Sequence, residues 1–224
     1  MNYNKLTSLV ANVEAIETAV NIHVQGRTAT TDEKEILSRY SGFGGIKEVL
    51  NIGTDNPVTD NMAEPLNRLE KALRTWTGED ETMYRTLIES IKASVLTAFY
   101  TPQFIVEAVA RQIHDTFQQN GLKMRSLLEP SAGIGGFLPV AMPGTHSYAF
   151  EKDCITGLIL SLLHDDTDTV TAGFETIGEQ DFEHSKFDVI ASNIPFGNFK
   201  VFDADLWKKG GICEQATKTI HNYF

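Results

Sequence analysis

Cationic residues are scarce in this chain. Its 224 residues include 19 Lys and Arg against 30 Asp and Glu, a formal net charge of −11. The deficit is uneven: residues 1–125 carry 13 cations against 16 anions, and residues 126–224 carry 6 against 14. That balance excludes the broad cationic face of a free-standing DNA-binding module, so any grip on phosphates has to come largely from elsewhere. Long hydrophobic runs are missing too. No stretch reaches the roughly 18 apolar residues of a membrane helix. Asn12, Glu14 and Glu17 interrupt the first apolar segment, which excludes a signal-peptide pattern. A membrane or secreted protein is not expected. Cysteine is nearly absent. Cys154 and Cys213 make neither a disulfide framework nor a zinc cluster, and both are expected as free thiols in a reducing cytoplasm. None of the six histidines stands with cysteines or carboxylates at metal-ligand spacing, so no metal site is expected. Internal repeats and low-complexity tracts are lacking as well.

What is present divides the chain into two regions. Residues 1–93 read as helical. Leu6, Leu9, Val10, Val13, Ile16 and Val20 recur at helical spacing, and Thr30 with Glu33 predicts a capping box opening a short helix toward Tyr40. Ser41-Gly-Phe-Gly-Gly45 predicts a turn, and Asn51 to Asp60 a loop. Met62, Leu66, Leu69, Leu73 and Trp76 line one further helix; Tyr84, Leu87, Ile88, Ile91 and Val95 line another. Pro102 then biases Thr101 toward an extended backbone. A helix follows from about Gln103, with Ile105, Val106, Val109, Ile113 and Phe117 inward. Residues 94–224 read as α/β. Strands are expected at Ser126 to Leu128, Ser147 to Phe150, Thr169 to Ala172 and Phe187 to Ser192, with a helix from Ile155 to Leu163. This alternation predicts a parallel sheet covered by helices. The run Asp165 to Asp168 is expected as a solvated loop, and His221 as a packing or surface residue.

Glu129-Pro-Ser-Ala-Gly-Ile-Gly-Gly-Phe137 follows the first of these strands. Ligands of open parallel sheets sit beyond the carboxyl ends of the strands, so this turn is well placed to hold a nucleoside cofactor. A dinucleotide fits poorly, because Leu138 stands where the third glycine of the fingerprint belongs when counted from Gly133. No Gly-Lys-Ser/Thr follows, so it is not a P-loop. Glu129 would repel a pyrophosphate and suits a cationic ligand such as a sulfonium. Glu151 closes the second strand, 22 residues after Glu129, where an acid commonly accepts hydrogen bonds from ribose hydroxyls. The plainer readings are a βα turn that holds no ligand and an acid that is simply solvated.

Ser192-Asn-Ile-Pro-Phe-Gly197 ends the fourth strand. Together with Phe99-Tyr-Thr-Pro102 and the Gly-rich turn, in that order, it resembles the catalytic domain of adenine-specific, S-adenosylmethionine-dependent DNA amino-methyltransferases, whose motif is usually Asn-Pro-Pro-Tyr/Phe. Tyr40-Ser-Gly-Phe-Gly-Gly45 and His221-Asn-Tyr-Phe224 narrow the resemblance to the methylase-like segment of large methyltransferase–helicase proteins of phages and mobile elements. It spans residues 40 to 224, specific in the motifs and loose between them. It implies a Rossmann-like methyltransferase sheet with S-adenosylmethionine as cofactor. The adenine amino nitrogen is a poor nucleophile, its lone pair being delocalised into the ring. The Asn193 side-chain oxygen and the Ile194 carbonyl would accept its two hydrogens, Pro195 would stiffen the turn, and Phe196 would stack on a flipped-out base. Ile194 replaces the usual first Pro but keeps the carbonyl.

The resemblance also places Tyr100 and Thr101 near the methionine end of the cofactor. Thr101 reads equally as a helix N-cap. Glu129, Ser131, Ala132, Gly133, Gly135 and Glu151 fall along the expected cofactor cleft. After the third strand the family often has Asp-Phe, the Asp taking the cofactor's adenine amino group; here Gly173-Phe174-Glu175 stands there, with Phe174 able to flank the ring. Three more strands and a target-recognition region are expected beyond the Asn turn. The sheet here is then a half, of order 3-2-1-4. DNA would be held mainly by regions outside these residues, and further domains or chains would complete the sheet. These residues alone are expected to bind cofactor weakly and to methylate little. RNA or a protein glutamine as substrate, or an inactive methylase fold serving assembly in a mobile-element protein, are the alternatives.

Overall fold

The computed structural model describes residues 4–54, 58, 60–97, 100–179 and 187–194, with backbone alone at 96, 97, 178 and 179. In chain order the described residues form α1 (Lys5–Gln25), α2 (Thr31–Leu37), α3 (Ala63–Thr77), α4 (Glu81–Thr97), α5 (Gln103–Gln119), β1 (Ser126–Glu129), β2 (His146–Phe150), α6 (Cys154–Leu163), β3 (Thr167–Val170) and β4 (Val189–Ile190). Short 3-10 turns lie at Lys47–Asn51, Leu138–Val140 and Phe174–Glu179. They cluster into two compact units. One combines the chain up to Tyr100 with Asp153–Asp166, and the other combines Thr101–Lys152 with the chain from Thr167 on.

The first unit is all helical. Leu9, Val13, Ile16 and Val20 of α1 are buried, as are Leu66, Leu69 and Leu73 of α3, which packs along it. Each such side chain contributes about 1.5–3 kcal/mol on leaving water. Glu17 of α1 and Arg68 of α3 add a two-point ion pair. The predicted capping box is present at α2: the Thr30 hydroxyl accepts from Glu33 N–H, and the Glu33 carboxylate accepts from Thr30 N–H. Tyr84, Leu87, Ile88, Ile91 and Val95 of α4 are all buried. Buried Asn12, in the apolar stripe of α1, pins the Ser41–Gly45 turn. Its Nδ2 donates to the Gly42 carbonyl at 2.6 Å and its Oδ1 accepts from Ser41 N–H at 2.8 Å.

Helix α6 also belongs to this unit, although the chain reaches it between β2 and β3. Asp153 caps it through Thr156 N–H at 2.7 Å and accepts from the Ser90 hydroxyl; Thr156 Oγ1 lies 3.4 Å from the Tyr40 hydroxyl. The compact units therefore differ from a simple division near residue 93. Residues 94–100 continue the helical unit, and 153–166 return to it, because α6 buries Ile155, Ile159 and Leu160.

Among the described residues the second unit holds four parallel strands in the order β3-β2-β1-β4. A helical region thus precedes a parallel sheet of Rossmann-like order, as the sequence predicts. Strand β1 is central and buried along its whole length. Strand β3 runs two residues earlier than expected because its register is set by β2, whose last residue, Phe150, lies opposite Val170. Strand β4 is shorter than expected. Leu127 and Leu128 of β1 pair with Val189 and Ile190, and hydrogen bonds from Asp188 and Ala191 continue the ladder on either side.

Two further expectations are corrected here. Asp165 and Asp166 lie in an exposed turn between α6 and β3, as expected, with Asp165 2.8 Å from Lys34, but Thr167 and Asp168 belong to β3, where exposed Asp168 places its Oδ2 2.9 Å from His146 Nε2 of β2. On α5 Val106 and Ala110 are buried and Val109, Ile113 and Phe117 half-buried along one stripe, but Ile105, about 100° round the helix from Val106, is 41% exposed and not inward as expected.

Candidate active site at the carboxyl edge of the sheet

From β1 the chain passes to β2 on one side and, later, to β4 on the other. The gap between β1 and β4 is therefore the topological switch point, where open α/β sheets bind ligands. The Gly-rich turn occupies it. Ala132 N–H donates to the Phe150 carbonyl at 2.8 Å, and Gly135 N–H donates to the Ala132 carbonyl at 2.8 Å. Gly133 and Gly135 have φ of +58° and +87°. A side chain at either would cost about 1–2 kcal/mol, which is why glycine stands there.

Glu151 stands at the carboxyl end of β2, half-buried, and its Oε2 accepts from Gly133 N–H at 2.8 Å. It fastens the tip of the turn to the neighbouring strand. Across the switch point the Ser192 hydroxyl donates to the Ser131 carbonyl at 3.1 Å. That bond brings the segment after β4 against the Gly-rich turn. Asn193 and Ile194 follow directly, both half-buried. Pro195 and Phe196 lie outside the described residues, as do Cys213 and His221. Below the strand, Arg125 and Asp188 brace the entry to β4 with an ion pair at 3.2 Å.

Glu129 departs from its expected role as a charge facing a cationic ligand. The residue is 1% exposed, and its Oε1 accepts from Phe137 N–H at 3.0 Å. Its other oxygen, Oε2, is buried with no hydrogen-bond partner. Burial pushes the carboxyl up to about 8; the N–H groups of Phe137 and Leu138 oppose the shift, and Glu151 adds to it. At neutral pH the group is mostly protonated, and it acts first as a brace under the turn.

Phe174 is half-buried, its ring 5.7 Å from that of Phe150 in an edge-to-face pair. Next to it Glu175 is bridged to Lys152 at 3.1 Å. Thr101 opens the second unit ahead of α5. It is not the cap of that helix: Pro102 holds the N-cap position, and no side-chain cap bond is made. Tyr100 falls in the helical unit. The α/β unit thus gathers Glu129, Ser131, Ala132, Gly133, Gly135, Glu151, Phe174 and Asn193 along one edge of one sheet. The sequence reading missed Ser192, whose hydroxyl joins the two loops, and Lys152, which anchors Glu175. A Ser directly before the Asn turn and a Lys directly after the β2 acid were the available signals.

The residues present suit a nucleoside with a cationic group better than a phosphate. The turn allows close backbone approach. Along this edge stand the carboxylate acceptors Glu151 and Glu175, the latter paired with Lys152, and the Asn193 amide, which both accepts and donates, with an aromatic face at Phe174 and a buried carboxyl oxygen without a hydrogen-bond partner at Glu129.

No family model matches the chain. It is similar to the defense against restriction protein B of Escherichia phage P1, with 26% identity over 187 residues, covering 84% of this chain and 6% of that protein. The chain thus spans about 6% of the length of this curated relative. It also superposes on a Listeria monocytogenes protein described as a class I S-adenosylmethionine-dependent methyltransferase, at a TM-score of 0.46 and 16% identity, over 97% of this chain and 67% of that one.

Proposed function

We propose that this chain binds S-adenosylmethionine at the β1–β4 switch point and serves methyl transfer to the exocyclic amino group of adenine in DNA. One observation carries the reading. The Ser192–Ser131 hydrogen bond sets Asn193 and Ile194 directly beside a positive-φ glycine turn at the carboxyl edge of a 3-2-1-4 sheet.

S-adenosylmethionine supplies a methyl group on a positively charged sulfur, an electrophile that leaves a neutral thioether behind. Gly133 and Gly135 let the backbone approach it, and Glu151 accepts from ribose hydroxyls while tying the turn to β2. Phe174 flanks the adenine ring of the cofactor. Thr101 serves its methionine end. Glu129, buried and mostly neutral, braces the turn from below through Phe137 N–H.

The substrate nitrogen has to become a nucleophile without a strong base. The Asn193 Oδ1 and the Ile194 carbonyl accept its two hydrogens and favour the pyramidal geometry in which its lone pair is free. The resemblance gives Pro195 the part of stiffening that turn and Phe196 that of stacking on the extruded base. The nitrogen gains a methyl and sheds one proton to water. Catalysis is positioning and hydrogen bonding with no covalent enzyme intermediate. DNA enters chiefly through surfaces outside this acidic chain. The phage relative's name, defense against restriction, fits such chemistry, since a methylated site can be refused by a nuclease.

The test is incubation of the chain with methyl-labelled S-adenosylmethionine and unmethylated DNA, followed by digestion to nucleosides. Label in N6-methyladenine is expected, lost in Asn193→Ala while cofactor binding measured by calorimetry persists. Label in RNA or in protein glutamine would move the substrate to that class. Cofactor binding with no transfer to any of the three would make the fold an assembly module.

A further inference from the structure

Strand β4 ends short of the residue on which the proposed chemistry turns. Val189 and Ile190 pair with Leu127 and Leu128 of β1, and Ala191 N–H donates to the Leu128 carbonyl at 3.0 Å. Pro130 then follows β1 directly, and proline has no N–H, so β1 offers the ladder no main-chain donor at that position. A side chain takes over. The Ser192 hydroxyl donates to the Ser131 carbonyl at 3.1 Å, one residue beyond Pro130. Both serines are half-buried, which partly shields the bond from competing water.

The accepting carbonyl belongs to a fixed stretch of chain. Before it, β1 is buried along its whole length. After it, Ala132 N–H donates to the Phe150 carbonyl at 2.8 Å, and Gly133 N–H donates to Glu151 Oε2 at 2.8 Å. The Ser192 hydroxyl therefore carries the position of the Gly-rich turn over to the residue next to Asn193. Pro195 acts from the other side, and it restricts Ile194, the residue directly before it, rather than Asn193.

We infer that Ser192 is a positioning residue for methyl transfer: its hydroxyl, tied to the Ser131 carbonyl, sets the Asn193 side chain and the Ile194 carbonyl at a fixed offset from the turn that holds the cofactor. The inference rests on the methyl-transfer reading above. Ser192 acts through Asn193, so its loss leaves cofactor affinity in place and slows transfer. A misplacement of about 1 Å costs on the order of 100-fold in rate, and loss of the tether is expected to cost about 10- to 100-fold.

The experiment is single-turnover methyl transfer from labelled S-adenosylmethionine to unmethylated DNA by the full chain, with cofactor binding measured beside it by calorimetry. Ser192→Ala should keep its circular dichroism and bind the cofactor within about threefold of wild type, while transfer slows about 10- to 100-fold. Ser192→Thr keeps the hydroxyl and should restore transfer to within about threefold of wild type. Ser192→Val has the shape of the Thr variant without the hydroxyl and should stay slow. A residue that only supports the fold would lower affinity and rate together, and would be replaced by Val as well as by Thr. Should Ser192→Ala fail to fold, the comparison of Thr with Val decides the point. Wild-type transfer by folded Ser192→Ala, a parallel loss of cofactor affinity, or equal rates for Thr and Val overturns the inference and leaves the methyl-transfer reading standing. Absence of cofactor binding or of transfer in the folded wild type overturns both.

Discussion

Replacing Glu129 by Gln should remove a large pH dependence from the stability of this protein. The side chain is 1% exposed and burial pushes its carboxyl from an ordinary 4.5 up to about 8. Between those values the folded chain holds a proton that the unfolded chain has released. Stability therefore falls as pH rises through the window. At 1.36 kcal/mol per unit, the loss is about 3 kcal/mol by pH 7 and about 5 kcal/mol above pH 8, relative to pH 4.5. Gln copies the neutral acid in shape and keeps the acceptor for Phe137 N–H, but it cannot ionise. Urea unfolding at pH 5, 6, 7 and 8 is the assay. The two proteins should be nearly equal at pH 5, and the variant should become progressively more stable, by several kcal/mol at pH 8. Glu33, held down to about 2 by its hydrogen bonds with Arg27 and Thr30, titrates well below the window and does not obscure the result. Parallel profiles for wild type and Glu129→Gln would refute the reasoning. They would mean that water or a rearrangement reaches the unpaired oxygen.

Other substitutions test the fold and the turn. Asn12→Ala leaves Ser41 N–H and the Gly42 carbonyl without their buried partner, and should cost about 2–3 kcal/mol in urea unfolding. Thr30→Ala removes the hydroxyl half of the α2 capping box and should cost about 1 kcal/mol, seen as a thermal midpoint lower by a few degrees. Gly133→Ala forces a side chain onto a φ of +58°, adds about 1–2 kcal/mol of strain and shifts the N–H that Glu151 holds. Binding of S-adenosylmethionine should weaken at least tenfold while the circular dichroism of the sheet persists.

Much of this architecture was legible in local sequence. Leu66, Leu69 and Leu73, or Tyr84 through Val95, declare a buried helix face by spacing alone, and Thr30 with Glu33 declares a helix start, because both are decided within a turn or two of chain. The Gly-rich turn and the strand-end acid were legible for the same reason: backbone φ and the position of a strand end are local properties. The sequence also showed the order of the motifs, and from it the resemblance that suggested an amino-methyltransferase.

Tertiary structure decided the rest. Asn12 reads as a break in an apolar stripe until the 41–45 turn arrives to satisfy its amide. Glu129 reads as a charge suited to a cationic ligand until burial at the centre of the sheet makes it mostly neutral. Helix α6 reads as part of the α/β region because sequence order places it between two strands, yet its apolar residues are buried in the helical unit. In each case the deciding term is desolvation by groups distant in sequence. Such terms depend on which atoms meet in three dimensions, and no local pattern of residues contains them.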